Sequence, residues 1–233
     1  MRILQVHQQR PVSCLFAAAL LVVDAASALN VLLPGGTGPI GALLASKYLQ
    51  QHDVTILARN AFLAATPSRV TEDFGWVGAN YLKKNRHVRL RDWDGGDLLD
   101  IVGQDWMGWQ EDALQHANVI VHLTGGGFTE QRVMACERLV RESLQVKSAS
   151  APLHVTVNPT EELLSYLSPG LPALKLERIQ RCEALVRENC DNHVCLRLDE
   201  RKVERVCEAI AAVIKEWEEK EAAISTSNSQ SVA

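Results

Sequence analysis

The stretch Asn30–Asn60, NVLLPGGTGPIGALLASKYLQQHDVTILARN, decides the fold of this chain. Asn30 to Leu33 is a short apolar run of strand type. Gly36, Gly38 and Gly41 then fit G-x-G-x-x-G, and Ile40, Leu43, Leu44 and Tyr48 repeat at helical spacing on one face. Asp53 to Ala58 forms a second apolar run, so strand, glycine turn, helix and strand follow one another in the context the motif requires. The glycines have a physical purpose. The chain must turn sharply out of a buried strand, and bare backbone must lie close to a pyrophosphate held at the helix N-terminus, where free N–H groups and the helix dipole favour an anion. Gly41, the last of the three, lets the helix pack closely on the sheet.

Working outward, the pattern repeats. A helix is expected within Pro67–Lys84, a third strand at His87–Arg91, and a helix at Trp106–Ala117. A fourth strand is expected at Asn118–Leu123, and a helix at Thr129–Gln145 with Val133, Cys136, Val140 and Leu144 inward. Leu153–Val157 reads as a fifth strand, Leu174–Glu188 as a helix, and His193–Leu198 as a sixth strand. The last helix, Glu200–Lys220, carries the stripe Val203, Val206, Cys207, Ile210, Val213, Ile214 and Trp217. Six strands alternating with helices imply an α/β doubly wound parallel sheet of Rossmann type, with strand order 3-2-1-4-5-6. The expected organisation is one domain over 29–222, with a polar, disordered tail over 223–233.

The 233 residues are 47% hydrophobic and 22% charged, enough for one sizeable core. A formal net charge of −4 gives no electrostatic footprint for nucleic acid or an anionic membrane, so neither partner is expected. Arg2 and Arg10 precede the apolar run Val12–Val23, and Ala26, Ser27 and Ala28 make an A-x-A site. This pattern predicts a secretory signal over 1–28 that places the chain in the secretory pathway or a signal-dependent organelle, and in the cytoplasm if the signal is not used. An uncleaved anchor, a core helix or an artefactual start are the alternatives. Cys136, Cys182, Cys190, Cys195 and Cys207 lack the dense spacing of a disulfide scaffold and read as core residues. Cys190, His193 and Cys195 offer no fourth ligand, so no metal is expected.

With these pieces in place, the chain resembles the extended and atypical branches of the short-chain dehydrogenase/reductase superfamily, in particular NAD(P)-dependent epimerase/dehydratase-like proteins. LPGGTGPIG is similar to the family's glycine turn, VTILARN to its second strand, RDWDG to its third-strand loop and ANVIVHLTG to its fourth strand. The resemblance implies that Gly35, Gly36, Thr37, Gly38, Pro39, Ile40 and Gly41 line the pyrophosphate. It places Asp92 toward the adenine, and Leu123, Thr124 and Gly125 beside the ribose. Chemistry adds the cofactor's type: an NAD site puts a carboxylate at the end of the second strand, whereas a phosphate there wants a cation. This chain has Arg59 at that position, so NADP is expected rather than NAD.

The family's catalytic pattern is a tyrosine, a lysine four positions later and a serine or threonine after the fifth strand. Lys175 opens the matching helix, but the position four before it is Leu171, which cannot move a proton. Tyr166 and Thr160 are the substitute candidates. Members resembling this chain also carry a substrate lobe after the sixth strand, where here one helix and a tail follow Asp199, so a truncated or absent lobe is expected. The functional expectation is an NADP-binding, epimerase/dehydratase-like protein acting on an unidentified small molecule. The alternative is a catalytically silent nucleotide sensor, assembly factor or structural subunit with a protein partner; a third reading is a truncated gene product.

Overall fold

A computed structural model describes residues 28–66, 77–93, 95, 108–125, 127–146, 151–167 and 170–230. Residues 1–27 of the expected signal segment, 67–76 of the expected Pro67–Lys84 helix and 106–107 of the expected Trp106–Ala117 helix lie outside them. Six strands make one parallel sheet: β1 (Asn30–Pro34), β2 (Asp53–Ala58), β3 (Val88–Asp92), β4 (Val119–His122), β5 (Leu153–Pro159) and β6 (His193–Leu198). Their order is β3-β2-β1-β4-β5-β6, as the sequence predicts. Central strands of a parallel sheet are covered on both faces, and accordingly Val31, Leu32 and Leu33 are all buried. The order reverses between β1 and β4, where Val31 and Leu32 pair with Val119 and Ile120; ligands of such sheets bind beyond the strand ends at that reversal.

Helices cover the two faces. On one side α1 (Pro39–Leu43), continued by a π-helical turn over Leu44–Tyr48, packs with the C-terminal helix α7 (Val203–Gln230). Val206, Cys207, Ile210, Ile214 and Trp217 of α7 are buried there, as their spacing predicts, and Val203 and Val213 are half-buried. On the other side lie α4 (Glu130–Gln145) and α6 (Pro172–Asn189), which meet through Val133, Cys136, Val140, Cys182 and Val186. Short helices α2 (Ala61–Ala65), α3 (Ala79–Lys84) and α5 (Glu161–Leu167) complete the described elements. None of these helices is long and apolar enough to cross a membrane.

Several local expectations are corrected. The helix expected over Trp106–Ala117 is, among the described residues, a single π-helical turn at Gln110–Leu114. Leu144 is exposed, because the inward position in the last turn of α4 belongs to Ser143, which meets His154. α7 starts at Val203 because Glu200 folds back and accepts hydrogen bonds from the backbone N–H groups of Arg201 and Lys202. It continues to Gln230, through residues the composition assigns to a disordered tail. Adding Ser, Thr, Asn or Gln to a helix already nucleated costs only some tenths of a kcal/mol per residue.

The entry into α1 depends on one close approach. A methyl group at Gly41 would sit 2.2 Å from the Gly36 carbonyl oxygen and 2.4 Å from its Cα. Gly41→Ala is therefore expected to lower the unfolding free energy by about 3 kcal/mol, measured by urea denaturation, because backbone rather than a flexible side chain has to move.

Candidate functional site

The C-terminal ends of the strands surround a cleft of about 650 Å³. Gly35, Thr37, Gly38, Pro39, Ile40 and Gly41 form one wall, and Leu57, Ala58 and Arg59 form the next. Leu123, Thr124 and Gly125 form the floor beyond β4. Gly36 does not line the cleft: its N–H bonds the Leu33 carbonyl at 3.0 Å, and its backbone receives Gly41.

The glycines of the turn have different reasons to be glycine. Gly35 has φ +74°, and a Cβ there would lie 2.8 Å from Thr124 Cα, so the turn fits against β4's extension only without a side chain. Gly38 has φ −78° and ψ 178°, a conformation open to any residue, and a Cβ there would meet nothing within 4 Å. Neither backbone strain nor packing requires a glycine at that position. Its hydrogen keeps open a cradle in front of the first turn of α1, and that turn has no side-chain cap of its own. The fit is that of an anion held by backbone.

Charge agrees with shape. Arg59, Arg132, Arg201 and Glu200 are the charged side chains lining the cleft among the described residues, so it is positive in a chain that carries −4 overall. Arg59 follows β2, is exposed, and lays its aliphatic stem where a Cβ on Gly95 would be 2.8 Å away. Among the described residues no carboxylate pairs with it. Asp92 does not line the cleft; its Oδ1 accepts from Ala61 N–H at 2.6 Å and so holds the N-terminus of α2. Trp93 takes the lining position instead, buried edge-to-face on Trp109 with centroids 5.7 Å apart.

The structure does not bring the catalytic candidates together in the cleft. Thr160 uses its hydroxyl to accept from Leu163 N–H at 3.3 Å, capping α5. Tyr166 is 65% exposed, with the Arg201 guanidinium 3.7 Å above its ring. Lys175 lies in the first turn of α6, whose preceding residue Leu171 has φ +54°. None of the three is among the cleft's lining residues.

Sequence reasoning missed the group that organises the floor. Arg132, in the first turn of α4, is 7% exposed. Its Nη1 donates to the Thr124 carbonyl at 2.8 Å and more weakly to Gly125; its Nη2 donates to the Val157 carbonyl at 3.1 Å and to Asn158 Oδ1 at 2.7 Å. One guanidinium thus ties the end of β4 to the end of β5. Asn158 passes the network on, donating to Glu183 Oε1 at 3.0 Å, and Glu183 is held at 2.7 and 2.8 Å by Arg197. An arginine in a helix ordinarily reads as solvated surface. The usable signal was the glycine-rich run just before it, whose left-handed residues Gly125 and Phe128 leave carbonyls that need a donor.

Below Arg132 lies a second buried chain. Ser143 Oγ donates to the Val140 carbonyl at 2.8 Å, so it accepts from His154 Nε2 at 3.2 Å; His154 Nδ1 in turn accepts from His122 Nε2 at 3.1 Å. Both rings are neutral. Burial, and then the charge of His193, bring His154 down to about 4 from an ordinary 6.5. Burial, followed by His154 and Arg132, holds His122 well below that ordinary value.

No family model matches the chain, and no curated protein matches it. Solved structures do. The chain is similar to a carbonyl reductase from Pseudomonas aeruginosa PAO1, with TM-score 0.53 and 16% identity over 81% of this chain and 91% of that one. It is similar to a chain from Corynebacterium glutamicum described as a short-chain dehydrogenase/reductase, with TM-score 0.50 and 16% identity over 80% and 91%. A UDP-glucuronic acid 4-epimerase from Bacillus cereus, in complex with NAD, matches with TM-score 0.47 and 18% identity over 72% of this chain and 55% of that one. This chain thus spans about half of the epimerase's length. At these identities the likeness is one of fold.

The buried histidines predict a pH dependence. Below pH 6.5 the unfolded chain binds protons that the folded His122 and His154 refuse, so stability is lost as pH falls from about 6.5 toward 4. His154 alone contributes about 3 kcal/mol to that loss. Urea denaturation across this range is expected to show the slope, and His154→Gln to flatten it; equal slopes would contradict the assignment.

Proposed function

We propose that this chain is an NAD(P)-binding member of the short-chain dehydrogenase/reductase superfamily, epimerase/dehydratase-like and NADP-preferring. The carrying observation is the cradle at Gly38, which packing and backbone conformation leave unexplained and a pyrophosphate explains. The positive lining of the cleft and the fold shared with the Pseudomonas carbonyl reductase support the same reading. In it, the turn from Gly35 to Gly41 holds the pyrophosphate and Arg59 meets a 2′-phosphate. Leu123, Thr124 and Gly125 adjoin the ribose on the nicotinamide side. When bound, the cofactor supplies hydride transfer.

The second reading is a protein that binds the nucleotide without standard chemistry and serves as a sensor, assembly factor or structural subunit. The positions of Thr160, Tyr166 and Lys175 outside the cleft lining favour it. An oxidoreductase would need a proton donor other than a Tyr-x-x-x-Lys pair, since Leu171 holds the tyrosine's place.

Calorimetric titration tests the nucleotide binding that both readings require. The wild-type chain is expected to bind NADPH at least tenfold more tightly than NADH, and Arg59→Asp to remove that preference. Gly38→Leu is expected to abolish binding of both while leaving the thermal midpoint within about 2 °C, since its side chain enters open space. Unchanged NADPH affinity in Arg59→Asp would contradict the NADP assignment, and intact binding in Gly38→Leu would contradict the site.

A further inference from the structure

The guanidinium of Arg132 is unusual in what surrounds it. Its terminal nitrogens meet the carbonyls of Thr124, Gly125 and Val157 and the amide oxygen of Asn158, and its cationic face lies 5.1 Å from the Phe128 ring centroid. Every one of these partners is neutral. Among the described residues no carboxylate is bonded to it. Glu183, the nearest acid in the network, reaches it only through Asn158 and is itself paired with Arg197 by two hydrogen bonds. The Cys182 thiol points its hydrogen toward the Arg132 carbonyl at 4.0 Å and His122 is neutral; the charge of Glu183 is felt at Arg132 but is shared with Arg197, so two cations answer to one carboxylate. Burial lowers the pKa of Arg132, yet a guanidinium does not give up its proton in a protein.

A buried cation with only a shared counter-charge costs stability. Four of the five N–H donors of Arg132 are engaged by the fold, so it has little left with which to grip a ligand directly. Its field remains. Thr124, Gly125 and Asn158, the groups it holds, all line the cleft, on the β4–β5 side beyond the strand-order reversal. In a low-dielectric floor that field reaches the ligand with little screening.

We infer that Arg132 makes this cleft selective for the redox state of its nucleotide: it favours the reduced dinucleotide, whose nicotinamide ring is uncharged, over the oxidised form, whose ring is a cation. This inference rests on the proposed NADP site and adds a property to it. It also supplies a sensor with a basis for discrimination, because occupancy would follow the NADPH to NADP⁺ ratio rather than the total pool.

The test is calorimetric titration of the full chain with NADPH and with NADP⁺ in parallel, repeated on Arg132→Lys, Arg132→Met and Glu183→Gln. The wild type is expected to bind NADPH at least tenfold more tightly than NADP⁺. Arg132→Lys keeps the charge and loses the fork; both affinities are expected to fall while the ratio stays within about threefold of wild type. Arg132→Met is expected to bring the ratio to within threefold of one, and Glu183→Gln, which leaves Arg197 unpaired as well, to raise it. A role limited to shaping the floor would move both affinities together and leave the ratio alone. If Arg132→Met does not fold, the Glu183→Gln ratio decides: a rise supports the inference and no change or a fall overturns it. Equal wild-type affinities for the two forms overturn the inference and leave the NADP reading standing, whereas no binding of either overturns both.

Discussion

The structure depends on a contact between two pieces of bare backbone. Gly41 rests on Gly36 so closely that any side chain would collide with the Gly36 carbonyl. That contact draws the first turn of α1 down onto the end of β1. Gly35 makes the matching approach on the other side, where its Cα faces Thr124. The two contacts set the turn between β1 and β4, at the reversal of strand order, and the cleft opens above it. Side chains do little there. In the proposed function the anion is held by the free end of a helix, and the room for it comes from the hydrogens of glycines.

The other half of the cleft is built differently. Where the β1–β2 half relies on missing side chains, the β4–β5–β6 half relies on a buried polar network running from Arg132 through Asn158 to Glu183 and Arg197. A fully bonded network of this type fixes a single arrangement of strand ends, because each member loses a partner if the next one moves. Arg132 therefore has two consequences. It orders the floor through its hydrogen bonds, and it leaves a positive charge beneath it. Arg59, at the opposite end, contributes an exposed charge that solvent screens more strongly. The net result is a positive cleft in an acidic chain.

How much of this was legible in the sequence follows from which physical signals are local. Strand order, glycine turn and the buried stripe of α7 could be read because apolar periodicity and glycine spacing express burial directly. The stripe from Val203 to Trp217 matches the buried face nearly residue for residue. α5 escaped because EELLSYL buries only Leu163 and Leu164, too few to make a period. Asp92 was placed toward a ligand by resemblance, yet its carboxylate serves the neighbouring helix α2, a choice made by tertiary geometry. Arg132, Asn158 and Glu183 escaped for a related reason. Each has a partner 25 or 26 residues away that shares in its burial, and beyond the glycine-rich run before Arg132 no short window of sequence contains that information.

The central claim is that a dinucleotide pyrophosphate occupies the cradle before α1. An ¹H–¹⁵N correlation spectrum recorded during an NADPH titration addresses it most directly, because the reporters are the backbone amides themselves. The account predicts that the largest shifts fall on Thr37, Gly38, Ile40 and Gly41, with smaller ones at Thr124 and Gly125. A spectrum unchanged by millimolar NADPH, or shifts confined to residues away from the β1–α1 turn, would contradict it.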